Sequence, residues 1–312
     1  VAAAGTDQQP EPKCPRCGYD LRGLAQQWRE SCPLDGRCSE CGLTFEWADV
    51  LSPKRIVPKW FVEYSQSISG FVGRTFATLM RSLRPATFWR EVQMWYSVRW
   101  PLLVAYLLLC ALIPYFILGA ANAILYGWNC WRHGGLYVHA WSQTPFSIVH
   151  FILTFVIPYG RFAAIDLPRP DEMFFLAFPF AVYLFLCPIG FNALPISRKT
   201  AKVRWAHIIR ISVLGIAYFP FIAMLAVLGS FMVVAGSIEF VYAGELIVDC
   251  AWYLLFGVPL YHFIWWSLAM RYYLKMPHAW GVGLAIVAMA VLGSTLIVAT
   301  IVIAITTLIL YY

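Results

Sequence analysis

Charge is scarce in this chain. Of its 312 residues only 12% are Asp, Glu, Lys or Arg, while 61% are hydrophobic. Soluble domains run near 25% charged. So little polar surface excludes an ordinary water-solvated globule of this length and points to a body solvated by lipid. The scarcity is uneven, because 13 of 23 Lys and Arg residues and 10 of 16 Asp and Glu residues fall in residues 1–99. The chain therefore divides into a polar head and an apolar body.

Other absences narrow the reading further. There is no GxxxxGK[ST] phosphate loop, no Ser-x-x-Lys and no HExxH, so no familiar nucleotide, acyl-transfer or zinc-hydrolase motif is present. The opening "VAAAGTDQQPEP" lacks a basic segment followed by an apolar one, and so does not read as a signal peptide. Residues 1–13 read instead as a disordered tail.

What the head does have is cysteine at metal-ligand spacing. Cys14-x2-Cys17 and Cys38-x2-Cys41 are separated by 20 residues, the pattern of a four-thiolate zinc site. Each pair places two thiolates on a tight turn, and two turns close a tetrahedron around the ion. Gly18 and Gly42 follow the second cysteine of each pair, where glycine accepts a positive φ and lets amides turn toward sulfur. A disulfide framework is the alternative; it requires an oxidising compartment. With four protein ligands the expected zinc is structural, since a catalytic ion keeps an open position. Cys32 is the odd cysteine and is expected to be a spare. Residues 14–49 thus read as a zinc ribbon. Residues 14–50 carry Arg16, Arg22, Arg29 and Arg37 against six carboxylates, so the ribbon offers no footprint for nucleic acid. Protein contact is the expected role, with Leu21, Leu24, Leu43, Phe45 and Trp47 as a mini-core or docking face.

Residues 50–100 read as a linker followed by amphipathic helices. Phe61, Tyr64, Ile68, Phe71, Val72, Phe76, Leu79 and Leu83 recur at helical steps, with Ser65, Ser69, Arg74, Thr78 and Arg81 opposite. Such a helix lies on the membrane surface or packs on protein, and the periodicity alone leaves both open. The stretch 84–100 reads as a second short helix, and Trp89, Trp95, Tyr96 and Trp100 as an aromatic belt at the lipid boundary.

Residues 101–312 contain five runs long enough to cross a bilayer: 101–126, 173–191, 208–236, 246–270 and 279–310. A sixth run, 144–163, is shorter and bounded by prolines. Arg198, Lys199, Lys202 and Arg204 place the loop 192–207 in the cytosol, together with the basic head, by the positive-inside rule. An even number of crossings must separate head and loop, so 144–163 re-enters or lies in the interface. The expected fold is an all-α polytopic membrane bundle of about five transmembrane helices with a small N-terminal zinc ribbon. Its expected site is the cytoplasmic (inner) membrane, multi-pass, with the ribbon in the cytosol.

The head "CPRCGYDLRG…CSECG" resembles a bacterial zinc-ribbon type fused to multi-span membrane domains. The stretch "SLRPATFWREVQMWYSVRWPLL" is similar to the opening of the Yip-domain family, in which an amphipathic segment precedes the first of five membrane helices. That resemblance implies a membrane adaptor without enzyme activity. The resulting expectation is a non-enzymatic scaffold, adaptor or accessory subunit. Its partners would be the bilayer and other membrane or cytosolic proteins, as homo- or hetero-oligomer, without nucleic acid. A transporter or channel is the alternative, motivated by Pro114, Pro179, Pro188 and Pro220 in the spans and by the intramembrane His262. A haem- or quinone-associated redox subunit is the third. On the outer side Cys130, His133, His139, Asp166, Asp171, Glu172, Glu239, Glu245 and Asp249 could gather around a metal or simply face solvent.

Overall fold

The computed structural model describes residues 12–28, 31–51, 57–132, 136–139, 142–145, 170–194, 202–235, 246, 247, 250, 253, 254 and 257–311. Helix predominates and strands are few. Among the described residues, two helical stretches are long and apolar enough to cross a bilayer, Trp205–Ile222 and Ala279–Ala304. Most of the run 144–163 lies outside the described residues. The chain forms two compact units, each discontinuous in sequence.

The first unit comprises Val1–Leu103, Cys187–Val213 and Phe263–Val287. Its head is a ribbon of two short antiparallel strands, β1 (Asp35–Arg37) and β2 (Thr44–Glu46), with Gly36 opposite Phe45. A side chain on Gly36 would collide, because its Cβ would lie 2.8 Å from the Phe45 ring and from Trp47 Nε1. Leu21, Leu43, Phe45 and Trp47 are buried, and Trp28 meets Trp47 edge-on at 4.7 Å. Leu24, expected in this core, is half-buried. A core this small rarely holds fewer than about 40 residues without a staple.

The neck differs from the sequence expectation in three ways. A 3-10 turn, Val62–Tyr64, precedes the first long neck helix. That helix spans Ile68–Ser82, and Ser67 caps it by accepting from the Gly70 amide at 3.2 Å. We call α1 the head helix Arg22–Ala25, α2 the helix Trp47–Leu51 and α3 this neck helix. Its polar residues Thr75, Thr78 and Ser82 face inward, whereas Ile68, Val72 and Phe76 face outward. Second, the next helix, α4, covers only Pro85–Glu91, with Pro85 in its first turn and Val92 extended at its end. Third, Trp89 and Tyr96 are core residues rather than an interfacial belt, being 0% and 1% exposed. Phe88 and Trp89 pack on Trp265 at 5.2 and 4.8 Å, and Trp89 on Tyr273 at 5.1 Å.

The long helices follow. They are α5 (Trp100–Arg132), α6 (Pro170–Ala193), α7 (Trp205–Gly215), α8 (Tyr218–Ala235), α9 (Val258–Leu268) and α10 (Ala279–Tyr311). A π-helical turn, Ala269–Tyr273, extends α9. Within the first unit, α9 and α10 approach closely at Gly283, whose Cβ would sit 2.2 Å from Ser267 Oγ. Gly281, one half-turn earlier, faces open space.

The second unit comprises Val104–Leu186, Leu214–His262 and Ala288–Tyr312. It includes a hairpin of β3 (Leu136–His139) and β4 (Ser142–Pro145). Helix α5 runs through Pro114, and α6 through Pro179 and Pro188, without a break. Only Pro220 sits near one, at the turn Ile216–Ala217 between α7 and α8. There the Phe219 amide bonds Ile216 O rather than Gly215 O, and His262 Nε2 takes up Gly215 O instead, at 3.3 Å.

Candidate metal centre

The four predicted ligands converge. Cys14, Cys17, Cys38 and Cys41 bring their sulfurs within 4.8 Å of one another. The Sγ–Sγ separation is 3.6 Å for Cys14 and Cys41 and 3.7 Å for Cys17 and Cys38. Sulfurs held ~2.3 Å from one tetrahedral ion stand about 3.8 Å apart, whereas a disulfide needs about 2.0 Å. The donor set therefore fits a single metal ion.

Both knuckles are made the same way. The Cys14 amide bonds Tyr19 O at 2.8 Å and the Gly18 amide bonds Cys14 O at 2.8 Å; in the second knuckle Cys38 bonds Leu43 O at 2.9 Å and Gly42 bonds Cys38 O at 3.0 Å. Each turn closes through a left-handed glycine, Gly18 at φ +79° and Gly42 at φ +68°. The turns aim amides at sulfur: those of Arg16 and Cys17 at Cys14, that of Tyr19 at Cys17, and those of Glu40 and Cys41 at Cys38. Burial still pushes the Cys14 thiol far up and Cys17 to about 11. At Cys38 burial also acts upward, but the amides and the neighbouring thiols outweigh it and bring the thiol down. A cation that replaces these protons relieves the burial penalty, so metal uptake and folding of the head are linked.

Cys32 is exposed, and its thiol faces Pro33 O at 3.4 Å, away from the cluster. Cys32→Ser is expected to leave one bound metal per chain, as measured by elemental analysis of the purified protein. Gly18→Ala should act differently. A Cβ there meets Arg204 Nε at 3.3 Å, and the left-handed backbone costs a side chain about 1–2 kcal/mol. Metal transfer to a competing chelator is expected to occur roughly tenfold more readily in this variant.

The ribbon is seated on other parts of the same unit. Arg16 is 6% exposed and donates through its guanidinium to Leu274 O at 2.5 Å and Lys275 O at 2.8 Å. The left-handed Lys275, at φ +50°, turns the chain after the π-helical segment and presents these carbonyls. In return the Arg204 amide bonds Arg16 O at 3.1 Å, and Lys202 pairs with Glu40. His207 Nε2 lies 2.7 Å from Pro15 O, and its Nδ1 lies 2.7 Å from Tyr273 Oη. A carbonyl only accepts, so Nε2 carries the proton and neutral Nδ1 accepts from the Tyr273 hydroxyl.

Tyr273 leads to a buried ion pair. Arg210 and Glu63 have no exposed side-chain surface. Arg210 Nε and one terminal nitrogen each donate to a Glu63 carboxylate oxygen at 2.7 Å, a bidentate match. The guanidinium also donates to Tyr273 Oη at 2.9 Å, Tyr96 O at 3.0 Å and Ser97 O at 3.1 Å. Glu63 further accepts from the Arg99 amide at 3.1 Å. Helix α4 ends where Val92 turns to extended backbone, and the carbonyls of Tyr96 and Ser97 downstream are bonded to Arg210. The sequence alone assigned no role to Arg210 or Glu63. The signal was there, since a single Arg one turn into an apolar helix requires a partner.

His262 is satisfied on both sides. Its Nε2 donates to Gly215 O, and its Nδ1 accepts from Tyr183 Oη at 3.2 Å. Neither nitrogen is spare for an axial ligand bond. Of the outer group, Cys130, His139, Asp171 and Glu172 are placed by backbone alone, in α5, β3 and the first turn of α6. His133, Asp166, Glu239, Glu245 and Asp249 lie outside the described residues, as do Arg198 and Lys199. Compared with protein-family models, with curated proteins and with solved structures, the chain matches none.

Proposed function

We propose that this chain is an integral membrane scaffold, adaptor or accessory subunit, without enzyme activity, that presents a zinc ribbon in the cytosol. The observation that carries this reading is the seat of the ribbon. Four thiolates stand ready to hold one ion, and Arg16 and Pro15 of the first knuckle and Glu40 of the second fasten the ribbon to the segments at 202–207 and 274–275. A closed site of this kind supports architecture rather than chemistry. Tetrahedral sulfur suits zinc or an iron–sulfur centre, and zinc fits the resemblance to membrane-fused zinc ribbons.

A five-span body, similar to the Yip-domain family, is part of the same proposal. Helices α5, α6 and α10 contain 33, 24 and 33 residues. At 1.5 Å per residue each exceeds the ~30 Å hydrocarbon layer. In this reading α7 and α8 together make a fourth crossing and α9 belongs to a fifth. The unbroken α5 and α6 and the fully bonded His262 give no support to a transport path or a haem ligand.

The decisive experiment is native purification with identification of bound metal and proteins. The proposal expects zinc in the ribbon and a fixed partner that is lost from Cys14→Ser/Cys17→Ser. A partner set unchanged by that substitution would count against the adaptor role, and iron in place of zinc would correct the metal. A reporter fused after Tyr312 should be inactive if it works only in the cytosol; activity there would remove the five-span topology.

A further inference from the structure

Helix α3 is built with its polar side inward. Ile68, Val72, Phe76, Met80 and Leu83 are 87, 55, 64, 48 and 39% exposed. Their steps of four, four, four and three residues put them on one stripe. The inward side is fixed by hydrogen bonds, so the helix cannot turn over at no cost. Thr78 Oγ1 donates to Trp60 O at 3.1 Å and accepts from the Val62 amide at 3.2 Å. Where α3 meets α4, a groove of about 500 Å³ opens between Trp60, Met80, Leu83 and Phe88, with Arg81 and Arg84 at its edge.

Charge selects the occupant. Helix α3 contains Arg74 and Arg81 and no acidic residue, and Arg84 follows it. Arg81 is balanced by Glu91 at 2.9 Å, and Glu63 is bound to Arg210. Arg74 meets a carbonyl, that of Tyr64. Among the described residues Arg84 forms no ion pair, since Glu91, which lines the same groove, is engaged by Arg81 and the Trp60 indole. A second copy docked by two-fold symmetry on this stripe would set these cationic edges against each other. An anionic lipid surface accepts both the apolar stripe and the positive edge. The same unit also exposes apolar helix residues such as Ile189, Trp280 and Leu284, which need the same solvent.

We propose that α3 lies in the headgroup layer of an anionic bilayer, its stripe sunk among acyl chains and Arg84 facing a lipid phosphate at the mouth of the groove. This rests on the membrane reading above, and the test separates the two. The full chain is reconstituted into vesicles of mixed phosphatidylglycerol and phosphatidylcholine. It carries the photoreactive p-benzoylphenylalanine at Phe76, at Val72 or, as a reference on α10, at Leu292. Adducts to lipid acyl chains at all three sites are expected. Arg84→Gln should lower the share of phosphatidylglycerol in the Phe76 adducts about fivefold. Lipid adducts at Leu292 but none at Phe76 and Val72 would overturn the inference alone, as would covalent dimers or water-quenched probe at those two sites. Absence of lipid adducts at all three would overturn the membrane reading as well.

Discussion

Cys14→Ala should release the metal and unfold the head. Cys14 is fully buried between the two knuckles, and its sulfur stands 3.6 Å from that of Cys41. Three thiolates remaining around one ion leave a position for water and weaken a site whose apparent binding free energy is of order 10–16 kcal/mol in small zinc modules. Bound metal is expected to fall from one per chain to nearly none during purification. Because the ribbon core rests on Leu21, Leu43, Phe45 and Trp47, protease cuts should appear within residues 14–49. Treatment of the unchanged protein with a strong chelator should give the same cuts. Retention of the metal with three cysteines, or an intact head without metal, would contradict the site.

The second large effect is expected at Glu63→Gln. Arg210 would keep its charge in a fully buried place against a neutral amide that offers one acceptor oxygen instead of two, and breaking such a pair costs about 3–5 kcal/mol. The melting temperature in detergent should fall by roughly 10 °C, with metal content unchanged. Arg210→Met alone should cost a similar amount, since it also strips donors from Tyr96 O and Ser97 O and leaves Glu63 a buried anion. The double variant should be no worse than either single one, so the coupling energy should be at least as large as one single loss, about 3–5 kcal/mol. Additive losses would mean that the two side chains act independently and that the pair is not the joint described.

These two sites differ in how far the sequence disclosed them. The knuckles were legible because their geometry is local: two cysteines, a turn and a glycine occupy five successive residues. The predominance of helix was legible for the same kind of reason, from long apolar runs. The pairing of Glu63 with Arg210 joins residues 147 positions apart, and no spacing rule reaches that distance. Helix α3 shows a subtler limit. Periodicity identified the stripe of Ile68, Val72 and Phe76, but a stripe has no sign. In water an apolar face turns inward, whereas beside lipid it can turn outward, and the hydrogen bonds of Thr78 to Trp60 and Val62 settle the direction here. Trp89 and Tyr96 failed as belt residues for a related reason. An aromatic near a predicted span is ambiguous until its neighbours are known, and theirs are Trp265, Tyr273 and Tyr64.

The seat of the ribbon also sets a timetable for biosynthesis. Arg16 finds its carbonyl partners 258 and 259 residues later in the chain. At about 5–20 residues per second a ribosome needs roughly 13–50 s to cover that interval, far longer than a turn or hairpin takes to form. Throughout that time the head has left the ribosome while its seat is incomplete. It must stand as a separate folded body, held by its own thiolate cluster, until the last helices arrive. Delayed metal delivery should therefore harm assembly of the nascent chain far more than removal of the same ion from the finished protein.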